Sequence, residues 1–115
     1  MQPITVTTTD ATAGTTYSRP VRMDSWANAQ SAIQVTVTGT ATYTVETSMD
    51  DPNDPVNPVA QASMVWVNAT DSNIVAKTAT ASGVLAVTPI FVRIKQTAGN
   101  GSTKMTIAQF SNVPL

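Results

Sequence analysis

The residues best suited to chemistry in this sequence are the oxygen-bearing side chains of one short stretch, residues 50–54. Its candidate ligands are Asp50, Asp51, Asn53 and Asp54. Carboxylate and amide oxygens are the ligands that calcium prefers, so a weak metal site is one interpretation. The EF-hand pattern is not followed, because its sixth and twelfth positions are Pro55 and Gln61. The turn preferences of Asp, Asn and Pro favour the other interpretation, a loop that connects two strands.

Catalytic groups are scarce in the rest of the chain. The sequence contains neither histidine nor cysteine, which excludes a histidine base, a thiol nucleophile and a zinc–thiolate site. Glycine motifs for phosphate binding and the Ser-x-x-Lys pattern are also missing. No rule of spacing brings two of the seven acidic residues together across a cleft. The sequence therefore predicts a binding protein that is not an enzyme, with no catalytic residue and no cofactor.

A second candidate site lies on a predicted strand near the C-terminus. The apolar side chains that would face the core are Ile90, Val92 and Ile94. The residues on the opposite face are Phe91, Arg93 and Lys95. An aromatic ring beside two cations could stack on bases or contact an acidic protein surface. Six scattered basic residues and a pI near 4.9 argue against nucleic acid, so the alternatives are a protein contact and an ordinary solvated face.

Three further residues, Trp26, Ile4 and Val6, are candidates for contact with a partner. Tryptophan is enriched at interface hot spots, but we place Trp66 in the core and leave Trp26 open between core and interface. Ile4 and Val6 alternate with threonines in an extended segment over residues 1–9. This segment is either the first strand of the domain or an arm that adds a strand to a neighbour's sheet edge.

The composition predicts one folded domain over residues 10–115, preceded by the segment 1–9. Although only 11% of the residues are charged, 42% are hydrophobic and the net charge is −1, which favours folding over disorder. The N-terminus lacks the pattern of a secretory signal. No apolar run reaches the length of a membrane span, so we expect no membrane partner.

Alternation of apolar and polar residues predicts the strands that carry these sites. Residues 33–37 and 41–45 alternate on either side of a short glycine-containing turn and predict a hairpin. Residues 90–95 and 105–108 predict a second hairpin in the same way.

Weaker patterns complete the predicted architecture. Residues 64–67 are expected to be extended and 74–76 to form a short strand, while the small residues of 79–83 suggest a connection. About seven to eight short strands separated by turn signals predict an all-β fold, a small antiparallel β-sandwich or jelly roll.

The sequence resembles small virion proteins of tailed bacteriophages. The segments that carry this resemblance, within about residues 35–110, are 43–46, 50–52, 64–66, 89–94 and 99–109. Such proteins include head decoration or cement proteins with jelly-roll-like folds. The resemblance implies a non-enzymatic protein, made in the host cytoplasm, that binds the major capsid protein on the capsid exterior and bridges capsomers. It further implies a homodimer, or a higher homo-oligomer, arranged around a two-fold axis.

Two other functions remain open on the sequence alone. One belongs to a different class, a carbohydrate- or receptor-binding β-sandwich that uses the loop at residues 50–54 with calcium. Glycan sites commonly present aromatic platforms, and the chain contains only six Phe, Trp and Tyr residues. The other is a tail or neck subunit with the same type of fold.

Overall fold

The computed structural model describes residues 3–23, 30–86 and 89–109. The strands in this part of the chain are β1 (Ile4–Thr9), β2 (Thr16–Tyr17), β3 (Val21–Arg22), β4 (Ser31–Thr38), β5 (Thr42–Ser48), β6 (Val67–Asn68), β7 (Ala81–Leu85), β8 (Phe91–Ala98) and β9 (Ser102–Gln109). Single 3-10 turns lie at Gln61–Ser63 and Ser72–Ile74. Among the described residues, no helix is long and apolar enough to span a bilayer.

The strands form two antiparallel sheets. Sheet I has the order β1-β9-β4-β7, and sheet II has the order β2-β8-β5-β6, with β3 pairing β8 on the same side as β2. The predicted fold class, a small all-β sandwich, is confirmed. The described residues contain nine strands instead of seven to eight, because the two-residue β2 is too short to show an alternating pattern and the small residues of β7 favoured a connection.

The core lies between the sheets and follows the period-two pattern of the sequence. Sheet I contributes Val6, Ile33, Val35, Met105 and Ile107. Sheet II contributes Val21, Tyr43, Val45, Val92 and Ile94. Threonines alternate with these residues on β1, β4 and β5, so each sheet has one apolar face and one that tolerates water.

Both predicted hairpins are wrong. Residues 33–37 lie in β4, which pairs with β9 and β7, whereas residues 41–45 lie in β5, which pairs with β8 and β6. Residues 90–95 and 105–108 likewise belong to different sheets. Alternation specifies which side chains face the core, but it does not specify which neighbouring strand supplies the hydrogen bonds. Each short connection therefore crosses from one sheet to the other.

The two crossing connections, β4–β5 and β8–β9, pack directly against each other. The amide of Gly101 donates a hydrogen bond to the carbonyl oxygen of Thr40 at 2.8 Å. A Cβ atom on Gly101 would overlap the carbonyl oxygen of Thr38, and one on Gly99 would overlap that of Thr40. Glycine is therefore required at both positions, because only a bare backbone allows this approach.

Gln96 connects this contact to the core. Its side chain is fully buried, and its Nε2 donates to the carbonyl oxygens of Gly99 at 3.1 Å and Gly101 at 3.0 Å. Its Oε1 accepts a hydrogen bond of 2.7 Å from the hydroxyl of Thr8 in β1. Because Gln96 lies in sheet II and Thr8 in sheet I, one amide group joins the sheets and the β8–β9 connection.

Three weaker predictions also need correction. Residues 74–76 are not a strand, since the chain forms a 3-10 turn at Ser72–Ile74. The small residues of 79–83 are not a simple connection, because most of them lie in β7 and pair with β4. Within 64–67 only the last residue enters a strand, β6. Tertiary pairing overrides the weak β propensity of small residues in β7.

The N-terminal segment forms part of the domain itself. Of the two alternatives for residues 1–9, the structure contains the first strand, since β1 pairs with β9 from Ile4↔Ile107 to Thr9↔Ser102. Val6 is buried, and Ile4 packs against the same core. These two side chains therefore contact the interior of their own chain.

We expect Gln96→Met to destabilise the fold more than the same change on the surface. Methionine retains the volume of the side chain but removes its hydrogen bonds to the Thr8 hydroxyl and to two connection carbonyls, each of which keeps one backbone donor. The expected loss in unfolding free energy is about 2–4 kcal/mol, measured by urea unfolding. The matched control is Gln34→Met on the exposed face of β4, for which we expect a change below about 0.5 kcal/mol. Equal losses in the two variants would contradict the connecting role of Gln96.

Candidate functional site

The outward side chains of sheet II form the candidate site, named here the sheet II outer face. Its members are Tyr17 in β2, Glu46 in β5, Trp66 before β6, and Phe91, Arg93 and Lys95 in β8. Val92 and Ile94 are buried, while Phe91, Arg93 and Lys95 are only partly buried, as the alternation of β8 predicts.

Arg93 is the centre of this face. Its guanidinium carbon lies 4.2 Å from the ring centroid of Tyr17 and 4.2 Å from that of Trp66, so the cation is held between two aromatic rings. Both distances are within the range of about 6 Å over which a cation is attracted to a ring face. Its Nε also donates to Oε1 of Glu46 at 2.9 Å. Arg93 is therefore held by three separate interactions.

Glu46 neutralises one of the two positive charges that β8 carries on this face. Its carboxylate is almost completely buried, and its second oxygen lies 3.5 Å from Nζ of Lys95. Arg93 and Lys95 thus share one anion. Sequence spacing did not identify Glu46 as part of the site, because its position follows from the pairing Glu46↔Arg93 between β5 and β8. The two cations expected on this face are therefore partly buried, and their combined charge is half neutralised.

The prediction that Trp66 lies in the core is wrong. The residue is half-buried on the outer surface, where its ring covers Arg93. The apolar neighbours that suggested burial, Val65 and Val67, are themselves 65% and 55% exposed. These apolar neighbours lie at an exposed sheet edge, and the indole ring of Trp66 is partly covered by the guanidinium of Arg93.

Arg22 makes a second contact of the same type at the end of this face. It donates to both carboxylate oxygens of Asp51, with distances of 3.0 and 2.9 Å. Its guanidinium carbon lies 5.4 Å from the centroid of Phe91. A bidentate pair fixes orientation as well as distance, so Arg22 attaches the acidic loop to β3 and β8. The pKa of Asp51 is lowered, first by the hydrogen bond from Arg22 and then by the amide of Asn53.

The other acidic side chains of the loop bind backbone amides. Asp50 Oδ2 accepts from the amide of Val65 at 2.6 Å. Asp54 Oδ1 accepts from the amides of Val56 and Asn57, and these bonds lower the pKa of Asp54. No group of three acidic, histidine or cysteine residues converges as a metal site in the part of the chain described. The arrangement is that of a loop whose carboxylates close its turns.

Two shallow depressions adjoin the aromatic–arginine stack. The first is lined by Pro20, Pro52, Asn53, Gln61, Met64 and Phe91. The second is lined by Ser18, Pro20, Gln61, Ala62, Trp66 and Arg93. Since they share Pro20 and Gln61, they are neighbours on one surface. The sheet II outer face therefore combines aromatic side chains with shallow depressions beside them.

The predicted contact residues are thus divided among different places. Phe91, Arg93 and Lys95 lie together, whereas Ile4 and Val6 are in sheet I and face its core. The prediction for Trp26 falls outside the described residues.

The fold defines a class, that of small antiparallel β-sandwich proteins, and sheet II carries an outer face of aromatic rings and paired charges. No model of a known protein family matches the chain, and no curated protein shows significant similarity to it.

We expect the stability of the fold to fall at acid pH and to stay constant near neutral pH. The carboxyls whose pKa is lowered by hydrogen bonds are Asp10, Asp51, Asp54 and Asp71. Their stabilisation is complete above the unfolded pKa of about 4 and is lost as pH falls through the lower folded pKa values. The urea midpoint should stay level from about pH 8 to about pH 5 and then fall below about pH 4.

The control for this pH dependence is Asp51→Asn, which removes one of these titrating groups. It should reduce the difference in urea midpoint between neutral and acid pH. A midpoint that falls mainly between about pH 8 and pH 5 would contradict this account, because the chain has no histidine to titrate there.

Proposed function

We propose that this chain is a non-enzymatic structural protein of a bacteriophage virion, a capsid decoration or cement protein. In this proposal its sheet II outer face docks on the major capsid protein at the capsid exterior and bridges neighbouring capsomers. The observation that carries the docking role is the stack of Arg93 between Tyr17 and Trp66.

The composition of the stack suits a protein interface. Trp, Tyr and Arg are the residue types that most often dominate binding energy at interfaces. Tyr17 is 52% exposed, so one face of the stack is open to a partner. Because Arg93 is already held by Trp66 and Glu46, binding would cost little additional side-chain entropy.

The charge distribution also supports docking. Burying an unpaired cation at an interface is expensive, whereas Arg93 already has an anion in contact. Arg22 is likewise paired with Asp51. A capsid protein could therefore cover this face without having to supply a carboxylate for each arginine.

The identity of the partner is supported by the resemblance to small tailed-phage virion proteins. When many copies bind a shell lattice at once, individually weak contacts give strong overall binding, provided that the geometry allows simultaneous binding. A small sandwich with a partly neutralised face suits such repetition. A place in the tail or neck would use the same fold and is the neighbouring alternative.

A specific observation favours a second candidate, a glycan-binding module. Three of the six aromatic residues, Tyr17, Trp66 and Phe91, lie on the sheet II outer face beside the two depressions. An aromatic platform next to polar groups such as Gln61 and Arg93 is a suitable surface for a sugar ring. The carboxylates of Asp50, Asp51 and Asp54 are already hydrogen-bonded, which disfavours the calcium-dependent version.

We expect Trp66→Ala and Tyr17→Ala each to weaken binding to capsids at least tenfold, as truncation of a hot spot does. Purified variants would be titrated onto mature capsids of the particle encoded alongside the chain, and occupancy read by co-sedimentation. Gln34→Ala, on the exposed face of sheet I, is the control and should bind as the wild type does. Circular dichroism would confirm that each variant is folded.

The outcomes separate the candidate functions. Density at regular positions over the capsid lattice by cryo-electron microscopy, with the sheet II outer face against the shell, is the expected result. Wild-type protein that ignores capsids and is absent from virions would overturn the proposal. Trp66-dependent binding to a glycan array in that case would favour the second candidate, and density only at the tail vertex would favour a tail subunit.

A further inference from the structure

β1 is the outermost strand of sheet I, so one of its two edges has no described strand beside it. The amide of Asp10 donates to the carbonyl oxygen of Gly101 at 3.1 Å, which is the β9 side. Because backbone groups alternate in direction along a strand, the N–H and C=O groups of Thr5, Thr7 and Thr9 point away from β9. No hydrogen bond from another described residue reaches these groups on that side.

The same alternation is consistent throughout sheet I. It directs the amide of Val37 away from β9, and this amide donates to the hydroxyl of Thr80 at 3.1 Å. It also directs the amide of Val84 away from β4, and this amide donates to Oδ2 of Asp71 at 3.0 Å. The assignment of the outward groups on β1 therefore rests on three independent hydrogen bonds.

The other sheet edges in the described part of the chain are protected. On β7 the carboxylate of Asp71 occupies the outward amide of Val84. β6 has only two residues, and β2 and β3 are separated by a segment that contains Pro20. Short strands, proline and inward-directed charge are the usual means by which proteins prevent edge pairing. Among the described strands, only β1 offers a long edge without such protection.

The sequence of β1 also favours pairing. Its six residues are Ile4, Thr5, Val6, Thr7, Thr8 and Thr9. All of them are β-branched, and none is charged, proline or glycine. A shallow depression lined by Thr5, Val6, Thr7 and Arg19 lies beside the strand, so one cationic side chain borders this edge.

We propose that a second copy of this chain occupies the β1 edge, with the two β1 strands antiparallel about a two-fold axis. A two-fold contact uses the same surface on both copies, so an uncharged strand is compatible with itself. Pairing that keeps each strand's faces places the exposed threonines of one copy opposite those of the other. Thr5 and Thr106 already make such a cross-strand contact within the chain, with hydroxyl oxygens 3.3 Å apart.

The resulting assembly joins the two four-stranded sheets into one continuous sheet. The pairing involves sheet I alone, so the sheet II outer face of both copies stays free, and the inference does not depend on the proposed capsid contact. One strand edge buries less area than the roughly 1,200 Å² of a standard stable interface, so the dimer in solution is weak. Neighbouring copies fixed on a surface would meet at a much higher effective concentration.

The deciding variant is Thr7→Pro. Proline removes the outward N–H, which the chain's own sheet does not use, and proline is tolerated at such edge positions. Sedimentation of the wild type from about 10 µM to about 1 mM should show a mass that rises towards the dimer. Thr7→Pro should stay monomeric over this range, whereas Thr7→Val, which retains the N–H and the branched side chain, should dimerise as the wild type does.

A second variant covers the case in which Thr7→Pro does not fold. Thr7→Lys leaves the backbone intact but places a cation beside its symmetry mate, so dimerisation should weaken and partly recover at high salt. Concentration-dependent protection from hydrogen exchange should appear at the amides of Thr5 and Thr7. A wild type that is monomeric throughout, or a dimer that Trp66→Ala disrupts and Thr7→Pro does not, would overturn the inference. Capsid binding by a monomeric wild type would leave the proposed function intact.

Discussion

The structure depends on one contact, the close packing of the two connections that cross between the sheets. Gly99 and Gly101 bring the β8–β9 connection against the backbone of Thr38 and Thr40, and Gln96 holds it through two carbonyl bonds. This contact places β4 beside β9 and β5 beside β8. The inner strand pairs of both sheets, β4 with β9 and β5 with β8, therefore start from the same contact, and the outer strands pair with them.

The aromatic–arginine stack is a consequence of that pairing. Once β5 lies beside β8, Glu46 stands opposite Arg93 and the two side chains can form an ion pair. The rings of Tyr17 and Trp66 then cover the guanidinium from β2 and from the segment before β6. The guanidinium is therefore held in place by two rings and a carboxylate, and half of the positive charge of Arg93 and Lys95 is neutralised. The two proposed contact surfaces, this face and the β1 edge, belong to different sheets and can be used independently.

The sequence predicts the faces of strands well and their neighbours poorly. Period two correctly separated Phe91 and Arg93 from Val92 and Ile94, because alternation is a local property of an extended chain. It could not show that β4 and β5 lie in different sheets, since both bury one face whichever strand is beside them. Glu46 belongs to the site because β5 pairs with β8, which is distant in sequence. Trp66 was misplaced because apolar neighbours do not distinguish an exposed edge from a core.

The crossing connections also govern how the chain must fold. Of all the strands described, only β5 and β6 pair with a neighbour in sequence, so almost no sheet hydrogen bonds can form locally. Thr5 and Thr106, which face each other across β1 and β9, are 101 residues apart. Closing such loops costs entropy before any contact compensates, which slows folding. On the ribosome β1 is synthesised about 100 residues before its partner β9, so the nascent chain carries an unpaired β segment while the strands between them are translated.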